Sequence, residues 1–171
     1  MKKTGRRSPP TARTLRAVEL IVYDFDGVLT DNRVILREDG MESVTVNRSD
    51  GLAIGLFKTM GIKQLILSKE RNRIVTARAR KLKIPCLQGV DDKRRALLRY
   101  CRSHGIGLGQ VVYVGNDLND QEPMLAVGHP VCPADACAEI RAISQIVLKT
   151  PGGAGVAREL LRRIAGPSSK P

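Results

Sequence analysis

The feature that most restricts this chain is its rhythm: short apolar runs that stop at polar residues alternate with helix-length stretches. Residues 18–23 (VELIVY) break at Asp24 and read as a buried strand of a parallel sheet. Further strands are predicted over 64–67, 85–87, 111–114, from Val131, and over 146–148. Between them lie predicted helices over 71–83, 93–103, 120–127, 135–143 and 156–164. The first connection is longer. There, apolar residues 34–36 and 44–46 flank Asp39-Gly40, predicting a small hairpin. A helix then opens at Ser49-Asp50-Gly51, with Leu52, Leu56 and Met60 recurring on one face and Gly61 ending it. Strands alternating with helices in this way predict an α/β doubly wound parallel sheet, Rossmann-like, with a small hairpin insertion.

At 171 residues the chain suits one domain, read here as 17–166, between a basic arm over 1–16 and a frayed end over 167–171. Aromatics make up only 3%, so the core has to be aliphatic. The net charge of +12 is concentrated partly in Lys2, Lys3, Arg6, Arg7, Arg13 and Arg16, with no acidic residue among the first sixteen. Such an arm could touch nucleic acid, but the few aromatics are scattered, so a solvated tail is the expectation and no nucleic-acid partner is. No apolar run approaches the ~20 residues that span a bilayer, and the amino terminus lacks the apolar core of a secretory signal. A cytoplasmic protein with no membrane partner is expected. Cys86, Cys101, Cys132 and Cys137 form no C-x-x-C pair and read as small hydrophobes. His104 and His129 read as surface or loop residues.

In a doubly wound sheet, chemistry gathers where strands end. The residues after the proposed strands are Asp24 and Asp26, then Ser68, then Asn116, Asp117 and Asp120, while Lys93 opens a helix. Asp120 either joins the site or caps the following helix. Two carboxylates converging across the Gly27 turn repel each other and call for a cation between them. Oxygen donors select a hard ion, Mg²⁺ first among the abundant ones. A divalent ion beside a lysine and a hydroxyl suits a phosphoryl group. One Asp would attack phosphorus and the other would move the proton.

These residues carry a resemblance. Asp24-Phe25-Asp26-Gly27-Val28-Leu29-Thr30-Asp31 resembles the first motif of the haloacid dehalogenase superfamily, and Ser68, Lys93 and Gly115-Asn116-Asp117-Leu118-Asn119-Asp120 are similar to its later motifs. Asp39-Gly40-Met41-Glu42, Asp50-Gly51, Gln88-Gly89-Val90 and the run from Gly152 to Glu159 resemble the capless keto-deoxyoctulosonate 8-phosphate phosphatases. That group also takes in N-acylneuraminate 9-phosphate phosphatases and the carboxy-terminal domains of some acylneuraminate cytidylyltransferases. The resemblance implies a phosphatase acting on a small sugar acid phosphate, in a homotetramer whose neighbours cover each site. Asp24 would be nucleophile and metal ligand, and Asp26 the acid/base with a carbonyl on Mg²⁺. Ser68 and Lys93 would hold the phosphoryl group, with Asn116 and Asp117 completing the metal set.

Two departures bear on this. Asn116 stands where octulosonate phosphatases usually carry Asp, which removes one negative charge from the metal site. Ser68-Lys69-Glu70-Arg71-Asn72 resembles the nonulosonate branch rather than the Thr-Gly-Arg of the octulosonate enzymes. In that branch the matching Glu70, Arg78 and Lys81 would meet the sugar acid. At about 100° per residue they would share an arc of about 80° on one helix. The other class of function is a non-catalytic tetramerisation module, related to the cytidylyltransferase domains.

Overall fold

The computed structural model describes residues 17–166; the basic arm and the last five residues lie outside the described residues. β1 (Leu20–Tyr23) is wholly buried and leads out toward the hairpin of β2 (Ile35–Leu36) and β3 (Glu42–Ser43). The chain then runs through α1 (Arg48–Thr59), β4 (Lys63–Leu67), α2 (Arg73–Leu82), β5 (Cys86–Leu87) and α3 (Lys93–Ser103). It returns through β6 (Val111–Val114), α4 (Gln121–Ala126), β7 (His129–Cys132), α5 (Ala138–Ile143), β8 (Ile146–Val147) and α6 (Val156–Ala165). The main sheet has the order β5-β4-β1-β6-β7-β8, and each of its pairings is parallel. The chain works outward from β1 to β4 and β5, then crosses back to β6 on the other side of β1. That reversal opens a crevice at the strand ends, next to β1.

Alternation along each strand feeds two cores. Leu20 and Val22 pack with Leu97, Cys101, Met124 and Ile140 under α3, α4 and α5. Ile21 and Tyr23 pack with Phe57, Val75 and Leu160 under α1, α2 and α6. With both faces covered, the strands read as continuous apolar runs, each side chain contributing about 1.5–3 kcal/mol. The helix starts are marked by side chains that accept otherwise orphaned amides. Asn47 accepts from Ser49 N at 2.8 Å, Asn72 from Ile74 N at 3.1 Å and Asp92 from Arg95 N at 2.8 Å. At the end of α2, Lys58 Nζ donates to the carbonyls of Leu82 and Lys83, each at 2.7 Å.

Several expectations are corrected. Leu52 and Met60 are exposed; α1 buries Ala53, Ile54 and Phe57 instead. That helix is apolar on several sides, so spacing alone could not choose the stripe that faces β4 and α6. The hairpin's second arm is Glu42–Ser43, while Val44 and Val46 lean on the core. His129 is buried in β7, opposite Val112, with Nδ1 3.1 Å from Gln145 Oε1. Its Gly-His-Pro setting carries turn signals that the sheet overrides. The four cysteines are free thiols.

Candidate active site

The first motif leaves β1 as a tight turn. Asp24 N–H still belongs to the sheet, donating to Val114 O at 2.9 Å, while Leu29 N and Thr30 N turn back onto Phe25 O. Gly27 makes the turn possible at φ +74, and a Cβ there would lie 2.6 Å from Cγ of Asn116. Absence of that one carbon therefore seats the loop against the loop after β6.

Under the loop lies a dry cluster of charges. Lys93, 2% exposed, places Nζ 2.8 Å from Asp24 Oδ1 and 2.8 Å from Asp120 Oδ1. Asp120 also accepts from Tyr113 O–H at 2.9 Å and from Asn116 N at 3.0 Å. It makes no side-chain cap on α4, so of its two predicted roles only the first is found. Burial, and then the neighbouring Asp120, push Asp24 well above the carboxylate range against the pull of Lys93. Burial alone would lower Lys93, but Asp24 and Asp120 outweigh it and hold the ammonium above its ordinary value. One ammonium shared by two carboxylates leaves negative charge uncompensated.

Above this floor is a cleft of about 450 Å³ lined by Asp24, Asp26, Ser68, Glu70, Asn116 and Asp117, with Asn32, Lys69 and Asn119 at its edges. Asp26 is half-buried, accepts from Thr30 Oγ1 at 3.4 Å, and is pushed up by burial and then by Glu70. Ser68 Oγ accepts from Glu70 N at 3.1 Å, which leaves its O–H to donate elsewhere. Asp117 is exposed and accepts from Leu118 N at 2.7 Å. Asn116 Oδ1 is buried with no hydrogen-bond partner. An orphaned carbonyl oxygen beside two carboxylates fits a hard divalent cation. The donor set is not a carboxylate cage: among the described residues no three His, Cys, Asp or Glu side chains are placed to hold a metal ion by themselves.

The cleft thus gathers Asp24, Asp26, Ser68, Asn116 and Asp117, with Lys93 beneath. The sugar-acid trio is not gathered. Glu70 precedes α2, so it shares no helix face with the other two, and it lines the cleft as well as an adjoining hollow of about 680 Å³. Arg78 donates from Nη2 to Asn47 O at 2.8 Å, and Lys81 is exposed; neither lines the cleft. Sequence reasoning passed over Asn32, whose φ of +63 turns it to the cleft. Only the tolerance of Asn for left-handed backbone hinted at it.

Residues 59–160 match the family model of the haloacid dehalogenase-like hydrolases. The chain belongs to that family. This hydrolase is 32% identical to the 3-deoxy-D-manno-octulosonate 8-phosphate phosphatase of Yersinia pestis over 144 residues, which is 84% of this chain and 77% of that protein. A crystal structure assigned to the same hydrolase family, from Streptomyces avermitilis, superposes with a TM-score of 0.88 at 46% identity, covering 94% of this chain and 91% of that one. The 3-deoxy-D-manno-octulosonate 8-phosphate phosphatase of Moraxella catarrhalis, in complex with a magnesium ion, a phosphate ion and KDO, superposes at 0.86 and 30% identity, covering 90% and 88%. The expected fold class and hydrolase family are both borne out.

Proposed function

We propose that this hydrolase is a Mg²⁺-dependent phosphatase of a keto sugar acid phosphate, an octulosonate 8-phosphate or nonulosonate 9-phosphate. The observation that carries it is the buried Lys93 bridge between Asp24 and Asp120, beneath a cleft holding the orphaned Asn116 Oδ1. The octulosonate 8-phosphate phosphatases among its relatives, and the magnesium and phosphate in the Moraxella structure, support the same reading. Asp24, Asp26 and Asn116 would hold Mg²⁺, with Asp117 at the rim; the ion would offset negative charge on the phosphoryl oxygens.

Asp24 Oδ1 is taken up by Lys93 and by Phe25 N–H at 2.7 Å, so attack on phosphorus falls to Oδ2. The ester P–O bond breaks as the Asp24–phosphorus bond forms, and Asp26, held toward its protonated form, gives its proton to the leaving alkoxide. Water then attacks the aspartyl-phosphate, its proton passes to Asp26, and Asp24 and inorganic phosphate are released. Ser68 O–H would donate to the phosphoryl group throughout, and Lys93 keeps Asp24 aimed.

A homotetramer is part of the proposal. The hairpin exposes Val34, Ile35, Leu36 and Met41, an apolar patch suited to copies of this chain. Among the described residues no helix is long and apolar enough to cross a membrane. The non-catalytic assembly module is disfavoured by the cluster itself, because a scaffold gains little from burying Asp24, Lys93 and Asp120.

The test is phosphate release from a panel that includes both classes of sugar acid phosphate. We expect turnover with Mg²⁺, none after chelation, and a loss on the order of 10³-fold in kcat for Asp24→Asn. Undiminished turnover by Asp24→Asn, or none by the unsubstituted tetramer on any phosphate ester, would refute the proposal.

A further inference from the structure

Asp50 is fully buried in the first turn of α1, and its Oδ1 accepts from Ala157 N at 2.9 Å and from Arg158 N at 3.4 Å. Those amides open α6, whose own cap position is Gly155, a residue with no side chain to offer. Gly155 sits at φ +106, and a Cβ on it would lie 2.9 Å from Ser49 Oγ. That backbone conformation is one that residues with a side chain rarely adopt, so a local cap is disfavoured. Asp50 caps α6 from the far end of the sequence.

The start of α6 in turn carries a glycine strap that lies against the catalytic loop. Gly153 N–H donates to Val28 O at 3.0 Å, and a Cβ on Gly153 would sit 2.5 Å from Asp31 N. A Cβ on Gly152 would sit 2.7 Å from the carbonyl carbon of Gly27, the residue that seats the loop against Asn116. The strap's other edge is held by Glu159, which accepts from Lys149 N at 2.9 Å and Thr150 N at 2.8 Å, and by Asp135, which accepts from Gly152 N at 2.9 Å.

Asp50 Oδ2 is buried without a hydrogen-bond partner. The guanidinium of Arg78 supplies an attractive charge to this buried carboxylate. The apolar residues between α1 and α6, Phe57 and Leu160 among them, already hold the helices together. What Asp50 adds is the placement of the first turn of α6.

We propose that Asp50 is a positioning residue for catalysis: by capping α6 it fixes the strap that braces the loop from Gly27 to Asp31. This rests on that loop being the catalytic one. The experiment compares Asp50→Ala and Asp50→Asn in the full chain, reading kcat and KM with Mg²⁺ on a phosphate ester and amide hydrogen exchange over 27–31. For Asp50→Ala we expect kcat to fall about 10–100-fold with KM within about threefold. Loop exchange should quicken about tenfold or more. Asp50→Asn, which keeps an acceptor oxygen, should recover kcat to within about threefold of the original. A folded Asp50→Ala that merely melts earlier, with kcat and loop exchange unchanged, overturns the proposal. If Asp50→Ala does not fold, Gly155→Ala disturbs the same seam from the other side, and unchanged loop exchange there also overturns it. If no phosphate ester is turned over even by the unsubstituted chain, the proposed function falls, while the exchange measurement still decides the bracing.

Discussion

In the floor of the cleft, Lys93, Asp24, Asp120 and Tyr113 each bond to a side chain from another segment, within hydrogen-bond distance and out of water. The β2–β3 hairpin differs: Val34, Ile35, Leu36 and Met41 are 54–67% exposed, the two strands pair with each other, and Asn72 Nδ2 donates to Glu42 Oε2 at 2.8 Å. The side chains of the floor find these partners within one chain, because a buried charge without one is costly. The hairpin's exposed apolar area would be stabilised by any surface that excludes water, a second copy in the proposed assembly included.

The contrast can be broken at either end. Asp120→Ala has the largest expected effect. It leaves the Tyr113 hydroxyl and the Asn116 N–H without their acceptor while Lys93 keeps Asp24, and urea titration should show a loss of about 2–3 kcal/mol. A loss below about 1 kcal/mol would mean that the floor is wetter than its burial implies. Ile35→Asp with Leu36→Asp should act on assembly instead. Light scattering should report a monomer, while stability per chain moves by about 0.5 kcal/mol or less, as exposed positions do. An unchanged mass would remove the hairpin from the assembly.

An effect that depends on pH is expected at Glu159, a partly buried carboxylate. Burial opposes its ionisation, but Arg163 and the amides of Lys149 and Thr150 outweigh burial and lower it to about 2. A folded value below the unfolded one contributes stability above the unfolded pKa of about 4.5, lost as pH falls through about 2. Glu159→Gln should therefore cost about 1 kcal/mol at neutral pH, after discounting for solvent. The difference between the two proteins should shrink over that acid window; one that persists at pH 2 would refute the linkage.

Much was legible in advance because it is local. The run VELIVY ending at Asp24 marks a buried central strand and its chemical end at once, and the predicted strand over 111–114 and helix over 93–103 match β6 and α3 in extent. The buried face of α2, Val75, Ala79 and Leu82, was also legible, since apart from Ile74 and Ala77 its other positions are charged or polar. The face of α1 was not, because Leu52 and Ile54 are equally apolar and only packing against α6 and β4 separates them. The resemblance implies a substrate role for Arg78, and within one chain its guanidinium donates to Asn47 O. Spacing cannot say which of many arginines on a helix faces which neighbour.

The amino-acid sequence by itself determined the strand-helix order, and hence which residues stand at strand ends, because apolar periodicity and turn chemistry are written over a few adjacent positions. Only the tertiary structure decided that Asp120 shares Lys93 with Asp24, that Asn116 Oδ1 is left unpaired, and that Asp50 reaches across to cap α6. Those contacts join segments far apart in the chain. They depend on where two loops come within a hydrogen bond of each other, a distance that no local pattern encodes.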